Sequence, residues 1–195
     1  MLDIIKCVKS GGVVVFPTDT LFALSCDATN DFAVKRVFEI KGRELNKPLP
    51  IFVSGIEMAS QYIEMNEDAR SLAKEFWPGK LTILGKSKAG VKLSKAINNG
   101  ADTIAVRVPE CKVVLEIIKE LNVPIVGTSA NISGDDDSSS IKLIKEKFGC
   151  QVDYYLEGEI ISNAMPSTIV DVTSGKIEIA RSGAISVSKI SKVLF

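Results

Sequence analysis

A chain of 195 residues, 46% hydrophobic and 25% charged, is long enough to bury a core without disulfide or metal staples. Its 24 lysines and arginines balance 24 aspartates and glutamates, so it lacks the basic excess on which phosphate-backbone binding depends. It has no histidine, which excludes a Cys/His zinc site and removes the base from Ser-His-Asp and Cys-His nucleophile systems. The four cysteines, Cys7, Cys26, Cys111 and Cys150, form no CxxC pair and point to buried or free thiols in a reducing compartment. Met1 to Lys9 carries Asp3, Lys6 and Lys9 and does not read as a signal peptide, and no apolar run approaches the ~20 residues of a membrane span. The expectation is a soluble cytoplasmic protein, in which the sequon at Asn131 goes unused.

In chain order, Val13–Phe16 follows Gly11-Gly12, stops at Pro17 and predicts a short buried strand. Leu21–Leu24 continues extended after the polar turn Thr18-Asp19-Thr20. Asn30 or Thr29 caps a helix with an apolar stripe of Phe32, Val34, Val37, Phe38 and Ile40, closed by Gly42 in the left-handed position. Leu49–Val53 is a further strand, followed by helices over about Ile56–Ile63 and Glu67–Phe76 that break at Trp77-Pro78-Gly79. Leu81–Leu84 and Thr103–Val108 are strands, Glu110–Leu121 an amphipathic helix and Pro124–Gly127 a strand. The polar run from Gly134 to Ser140 is a loop before a helix near Ile141–Phe148. Strands near Val152–Leu156, Thr168–Val172 and Ile177–Ala180 and a last helix near Val187–Leu194 complete the chain. This mixture predicts an α/β fold, one domain over residues 1–195, with a large twisted mixed sheet flanked by helices around a concave cavity.

Polar clusters follow the apolar strands: Thr18-Asp19-Thr20, Lys41-Gly42-Arg43 with Lys47, Arg107, Ser129-Ala130-Asn131 and Ser167. Ligand sites of open α/β sheets form at strand ends, so these loops are candidates for one shared cleft. Each also has a plain structural reading. Thr18-Asp19-Thr20 is ordinary turn chemistry, and Lys41 and Arg43 suit the C-terminal dipole of a helix. Against that, arginine forks onto phosphate while lysine supplies a point charge, a pairing suited to a triphosphate. Ser129 to Gly134 offers small hydroxyl and amide groups and a glycine, a cradle for phosphate or ribose oxygens, although neither GxxxxGK[ST] nor GxGxxG is present. Asp135 to Asp137 suggests magnesium, with a solvated loop and helix cap as the simpler account.

Taken together, these segments resemble the YrdC/TsaC family of threonylcarbamoyl-AMP synthases. The resemblance rests on Pro17-Thr18-Asp19-Thr20, Lys41-Gly42-Arg43, Lys47-Pro48-Leu49, Phe76 to Thr82, Ala105 to Pro109, Ser129-Ala130-Asn131-x-Ser133-Gly134, Pro166 to Asp171 and Arg181-x-Gly183. These eight motifs, in order, span nearly the whole chain. The resemblance implies that Thr20, Arg107 and Ser167 hold L-threonine. It places Arg43, Lys47, Thr103, Ser129, Asn131 and Arg181 around ATP, and makes Lys41 and Arg43 the catalytic cations beside the phosphates. It further implies bicarbonate as a substrate, Mg2+ carried with ATP and no protein metal site. The product would pass to a tRNA threonylcarbamoyl transferase complex, with at most weak RNA binding and no membrane. Where many members have glycines and a histidine, this chain has Ala23, Ser25 and Phe52. The competing readings are an RNA-binding module of the same fold and a related adenylating or carbamoylating enzyme with another acceptor.

Overall fold

The computed structural model describes residues 2–134, 140–158, 160 and 165–194. The anticipated loop at Asp135 to Asp137 lies outside the described residues. The strands are β1 (Val14–Pro17), β2 (Phe22–Ser25), β3 (Ile51–Phe52), β4 (Leu81–Lys86), β5 (Thr103–Arg107), β6 (Ile125–Val126), β7 (Thr128–Ser129), β8 (Tyr154–Tyr155), β9 (Thr168–Asp171) and β10 (Glu178–Arg181). The helices are α1 (Leu2–Lys9), α2 (Asp31–Lys41), α3 (Ile56–Tyr62), α4 (Glu67–Phe76), α5 (Lys112–Leu121), α6 (Ile141–Phe148) and α7 (Val187–Leu194). None is long and apolar enough to cross a membrane among the described residues.

The α/β class is as expected, but the strands divide into two mixed sheets. One has the order β7-β2-β1-β8 and the other β10-β9-β4-β5-β3-β6. In the first, β1 pairs antiparallel with β2 and parallel with β8. In the second, β4 pairs antiparallel with β5 and parallel with β9, and β9 turns back antiparallel into β10. The chain passes between the sheets within five residues: β6 belongs to the larger sheet, β7 to the smaller, and Gly127 stands between them. That crossing sets the two sheets edge to edge and makes a concavity where they meet.

Local chemistry explains most boundaries. Asn30 caps α2 by accepting from the backbone N–H of Phe32 and Ala33, and Gly42 ends it at φ 56°. Phe32 is 70% exposed, so it lies off the apolar stripe, which Ala33, Val34, Val37, Phe38 and Ile40 form instead. The helix α1 was not anticipated from sequence, yet Ile4, Ile5 and Val8 bury one face of it at helical spacing. β3 and β8 are two residues each, shorter than their apolar runs, because only those positions find ladder partners.

The clasp between α2 and β8 is ionic. Arg36 donates to both oxygens of Asp153, at 2.8 and 3.2 Å, and the Val13 N–H adds a bond of 2.7 Å. Burial pushes the Asp153 carboxyl up, but these bonds and the Arg36 charge outweigh it and hold it below the ordinary carboxylate value. A carboxyl whose pKa is lower folded than unfolded stabilises the fold above about pH 4 and loses that contribution as the pH falls. Urea unfolding should therefore show a steeper loss of stability between about pH 5 and 3 in the native chain than in Asp153→Asn. Asn30→Ala should cost about 1 kcal/mol in the same assay at neutral pH, the usual effect of removing an N-cap.

Candidate active site

A cavity of about 590 Å3 opens where the two sheets meet, within the usual ~300–1,000 Å3 range of small-molecule sites. Its walls come from the β1–β2 turn, β2, the α2–β3 loop, β3, β4, β5, the β6–β7 crossing, β9 and β10. Phe22, Leu49, Phe52, Ile97 and Ile104 give it apolar surface, and Arg43, Lys47, Arg107 and Arg181 face it. No acidic side chain lines it among the described residues.

Arg107, at the end of β5, is the best-held of these cations. Its Nε donates to Gly79 O (2.8 Å), one terminal nitrogen to Thr20 Oγ1 (2.8 Å) and the other to Asp19 Oδ1 (2.6 Å). Its guanidinium carbon lies 5.6 Å from the centre of the Phe52 ring. Both partners of the Asp19–Arg107 pair are buried, with side chains 7% and 4% exposed. Burial pulls the Arg107 pKa down, Asp19 raises it by charge and hydrogen bond, and Arg181 adds a repulsion; the net direction is downward. Asp19 Oδ2 has no hydrogen-bond partner among protein atoms.

The turn supporting Thr20 is organised by Thr18. Thr18 Oγ1 donates to Leu21 O at 2.7 Å and accepts from the backbone N–H of Thr20 and Leu21. Thr20 Oγ1 lies 3.0 Å from Thr18 Oγ1 and accepts from Arg107. The plain turn reading of this segment is thus correct, and the turn also builds part of the cavity.

On the opposite wall, Arg181 donates to the carbonyl and hydroxyl oxygens of Ser167, at 2.7 and 3.0 Å. Ser167 also meets Thr82 Oγ1 at 2.8 Å. A register shift in the β9–β10 ladder between Ile179 and Arg181 re-aims the strand end. Arg43 follows the Gly42 cap and is held by donation to Lys47 O (3.1 Å) and Pro48 O (2.9 Å). Partial burial and then repulsion from Arg181 push its pKa below the ordinary guanidinium value. An arginine held below its ordinary value partly by a second arginine lining the same cavity marks a place where an anion would be welcome.

Thr20, Arg43, Lys47, Thr103, Arg107, Ser129, Asn131, Ser167 and Arg181, all singled out from sequence, line this one cavity. Lys41 is the exception among the described residues. Its side chain does not line the cavity: it is 1% exposed and donates to Ser129 O, Asn131 O and Asn131 Oδ1. The structure thus places this ammonium against protein oxygens behind the cavity wall. Asp19 and Thr82, present in the quoted motifs but given no role there, prove to be the partners that hold Arg107 and Ser167. Among the described residues no group of three or more Cys, Asp or Glu side chains is placed to hold a metal ion.

The family model of Sua5, YciO and YrdC, described as telomere recombination, matches residues 6–183. The chain belongs to this family. Two family relatives are the threonylcarbamoyl-AMP synthase of Pyrococcus abyssi, 35% identical over 189 residues, and the putative threonylcarbamoyl-AMP synthase of Methanocaldococcus jannaschii, 36% identical over 188. Each alignment covers 96% of this chain; it covers 55% of the first relative and 87% of the second, so the chain spans only about half of the former. The crystal structure of P. abyssi Sua5 complexed with L-threonine superposes with a TM-score of 0.92 at 33% identity, covering 98% of this chain and 56% of that one.

Within the Sua5/YciO/YrdC fold of this chain, Gly127 lets the backbone after β6 pass close against the Phe52 ring of the neighbouring strand β3. A Cβ there would stand 2.5 Å from two carbons of the Phe52 ring, the ring under Arg107. Gly127→Ala should destabilise the protein by about 1–3 kcal/mol through overpacking, and by clearly less in a Phe52→Leu background. Urea denaturation of the four proteins checks this; equal costs in both backgrounds would show that the added methyl meets something else.

Proposed function

We propose that this chain makes threonylcarbamoyl-AMP and pyrophosphate from L-threonine, bicarbonate or CO2, and ATP, for N6-threonylcarbamoylation of the tRNA adenosine beside the anticodon. The observation that carries this reading is the cavity's charge: four cations and no acidic side chain among its described lining residues. Such a lining suits a ligand set rich in anionic oxygen, namely a carboxylate, a carbamate and a triphosphate. The named activity of the two relatives and the threonine complex of P. abyssi Sua5 support the choice among such ligands.

In this reading Thr20, Arg107 and Ser167 hold threonine, with the Arg107 fork on its carboxylate. Arg43, Lys47, Thr103, Ser129, Asn131 and Arg181 hold ATP. The threonine amine bonds to the carbon of bicarbonate with loss of water, giving the N-carboxylate. An oxygen of that carboxylate then attacks the α-phosphorus, and the bond to the bridging oxygen breaks to release pyrophosphate. No side-chain nucleophile is needed. Catalysis comes from alignment and from arginine donors fixed in advance on backbone carbonyls, Arg43 on Lys47 and Pro48 and Arg181 on Ser167. The described donor set of the cavity does not fit a protein magnesium site, so Mg2+ enters with the triphosphate on its phosphate oxygens. The product then passes, in the cytoplasm, to a tRNA threonylcarbamoyl transferase complex, and residues 1–195 act as one domain.

Pyrophosphate release from ATP, with magnesium and bicarbonate, tests the reading with and without threonine. Release should require threonine and bicarbonate, and Arg43→Ala should lower its rate about a hundredfold, the scale of losing one preorganised charge donor. Release indifferent to threonine would assign another acceptor. Absence of release together with salt-sensitive RNA binding would replace the enzyme by a binding module.

A further inference from the structure

Lys41 ends α2 and turns away from the cavity that its neighbour Arg43 faces. Burying an ammonium is costly unless every N–H finds an acceptor, and it has three N–H groups and no lone pair. Lys41 meets that condition within one loop: it donates to Ser129 O, to Asn131 O at 2.7 Å and to Asn131 Oδ1 at 2.9 Å. The backbone reinforces the junction, since the Ser133 N–H donates to Lys41 O at 2.8 Å. The end of α2 and the segment 129–133 are therefore tied in both directions, and the lysine also sits where the helix dipole favours a cation.

The contacts also dictate polarity. Because an ammonium only donates, the Asn131 side-chain atom turned toward it must be the amide oxygen, which removes the usual ambiguity of an asparagine flip. That same oxygen accepts from Ser129 Oγ at 2.8 Å. The Ser129 hydroxyl proton is thereby committed, and its lone pairs are what the hydroxyl has left to offer. Ser129 and Asn131 both line the cavity. Two side chains able to act as donor or acceptor are set in one sense by a lysine that stands behind them.

We propose that Lys41 is a positioning residue: it touches no ligand, and acts by fixing the Asn131 amide and the Ser129 hydroxyl that face the cavity. The proposal rests on the ATP reading of that cavity only for its second arm.

The first arm needs no ligand. Backbone amide exchange of 128–133 should accelerate at least about tenfold in Lys41→Met, while exchange in β9 and β10 stays as in the native chain. Unchanged exchange at 128–133 overturns the proposal. The second arm measures ATP affinity in a double-mutant cycle of Lys41→Met with Asn131→Ala. Lys41→Met should weaken binding about tenfold in the native background and less than about twofold when Asn131 is already alanine. Additive losses, or a lowered salt dependence of ATP binding in Lys41→Met, would mean a direct phosphate contact and overturn the proposal. If the native chain binds no ATP, the assignment of the cavity fails and the exchange arm still decides the positioning role. Should Lys41→Met not fold, the native protein decides: the Lys41 ammonium protons should exchange slowly and show contacts to Asn131, and rapid exchange refutes the proposal.

Discussion

The two sheets of this protein meet at a buried guanidinium. Arg107 belongs to the six-stranded sheet through β5, yet its donors reach Asp19 and Thr20 in the turn that joins β1 and β2 of the other sheet. A third donor reaches Gly79 before β4, and the ring of Phe52 from β3 lies alongside. Burying such a group is tolerable only with its partners in place, and removal of one partner of a buried pair typically costs ~3–5 kcal/mol. Keeping this one charge satisfied ties the β1–β2 turn of one sheet to β5 of the other.

The same constraint divides labour among the cations. Arg107 is balanced by Asp19, while Arg43 and Arg181 repel each other and are steadied by backbone carbonyl and hydroxyl oxygens. Carbonyls orient a guanidinium without cancelling its charge. The result is a cavity with fixed donors and no acidic side chain among its described lining residues, in a chain whose overall charge is zero. Net charge alone therefore says little about such a local gathering of cations.

Most of the fold was legible where local chemistry dominates. The Asn30 cap, the Gly42 terminator and the apolar runs behind β1, β2, β4, β5 and β9 all left marks in the sequence. Division of the strands into two sheets did not, because pairing of β6 with one sheet and β7 with the other depends on partners over seventy residues away. Nine of the ten expected site residues line the cavity because polar groups after apolar strands gather at strand ends. Lys41 differs for a reason that spacing does not encode: of the two cations flanking the Gly42 cap, Arg43 lines the cavity and Lys41 is buried against the 129–131 segment. Asp19 leaves no distinctive mark in the sequence, because an acid in a turn has an ordinary explanation until the arginine opposite it is known.

The cavity draws on residues from Thr18 to Arg181, so nearly the whole chain must be in place before it exists. Its walls depend on parallel pairing of β4 with β9 and of β1 with β8, contacts that close long loops. Such topologies assemble slowly, since loop entropy is spent before the distant pairings form. Ligands that need both walls are met only by finished molecules, and by mass action they draw the population toward that state. Occupancy of the cavity in this architecture is thus coupled to completion of the fold itself.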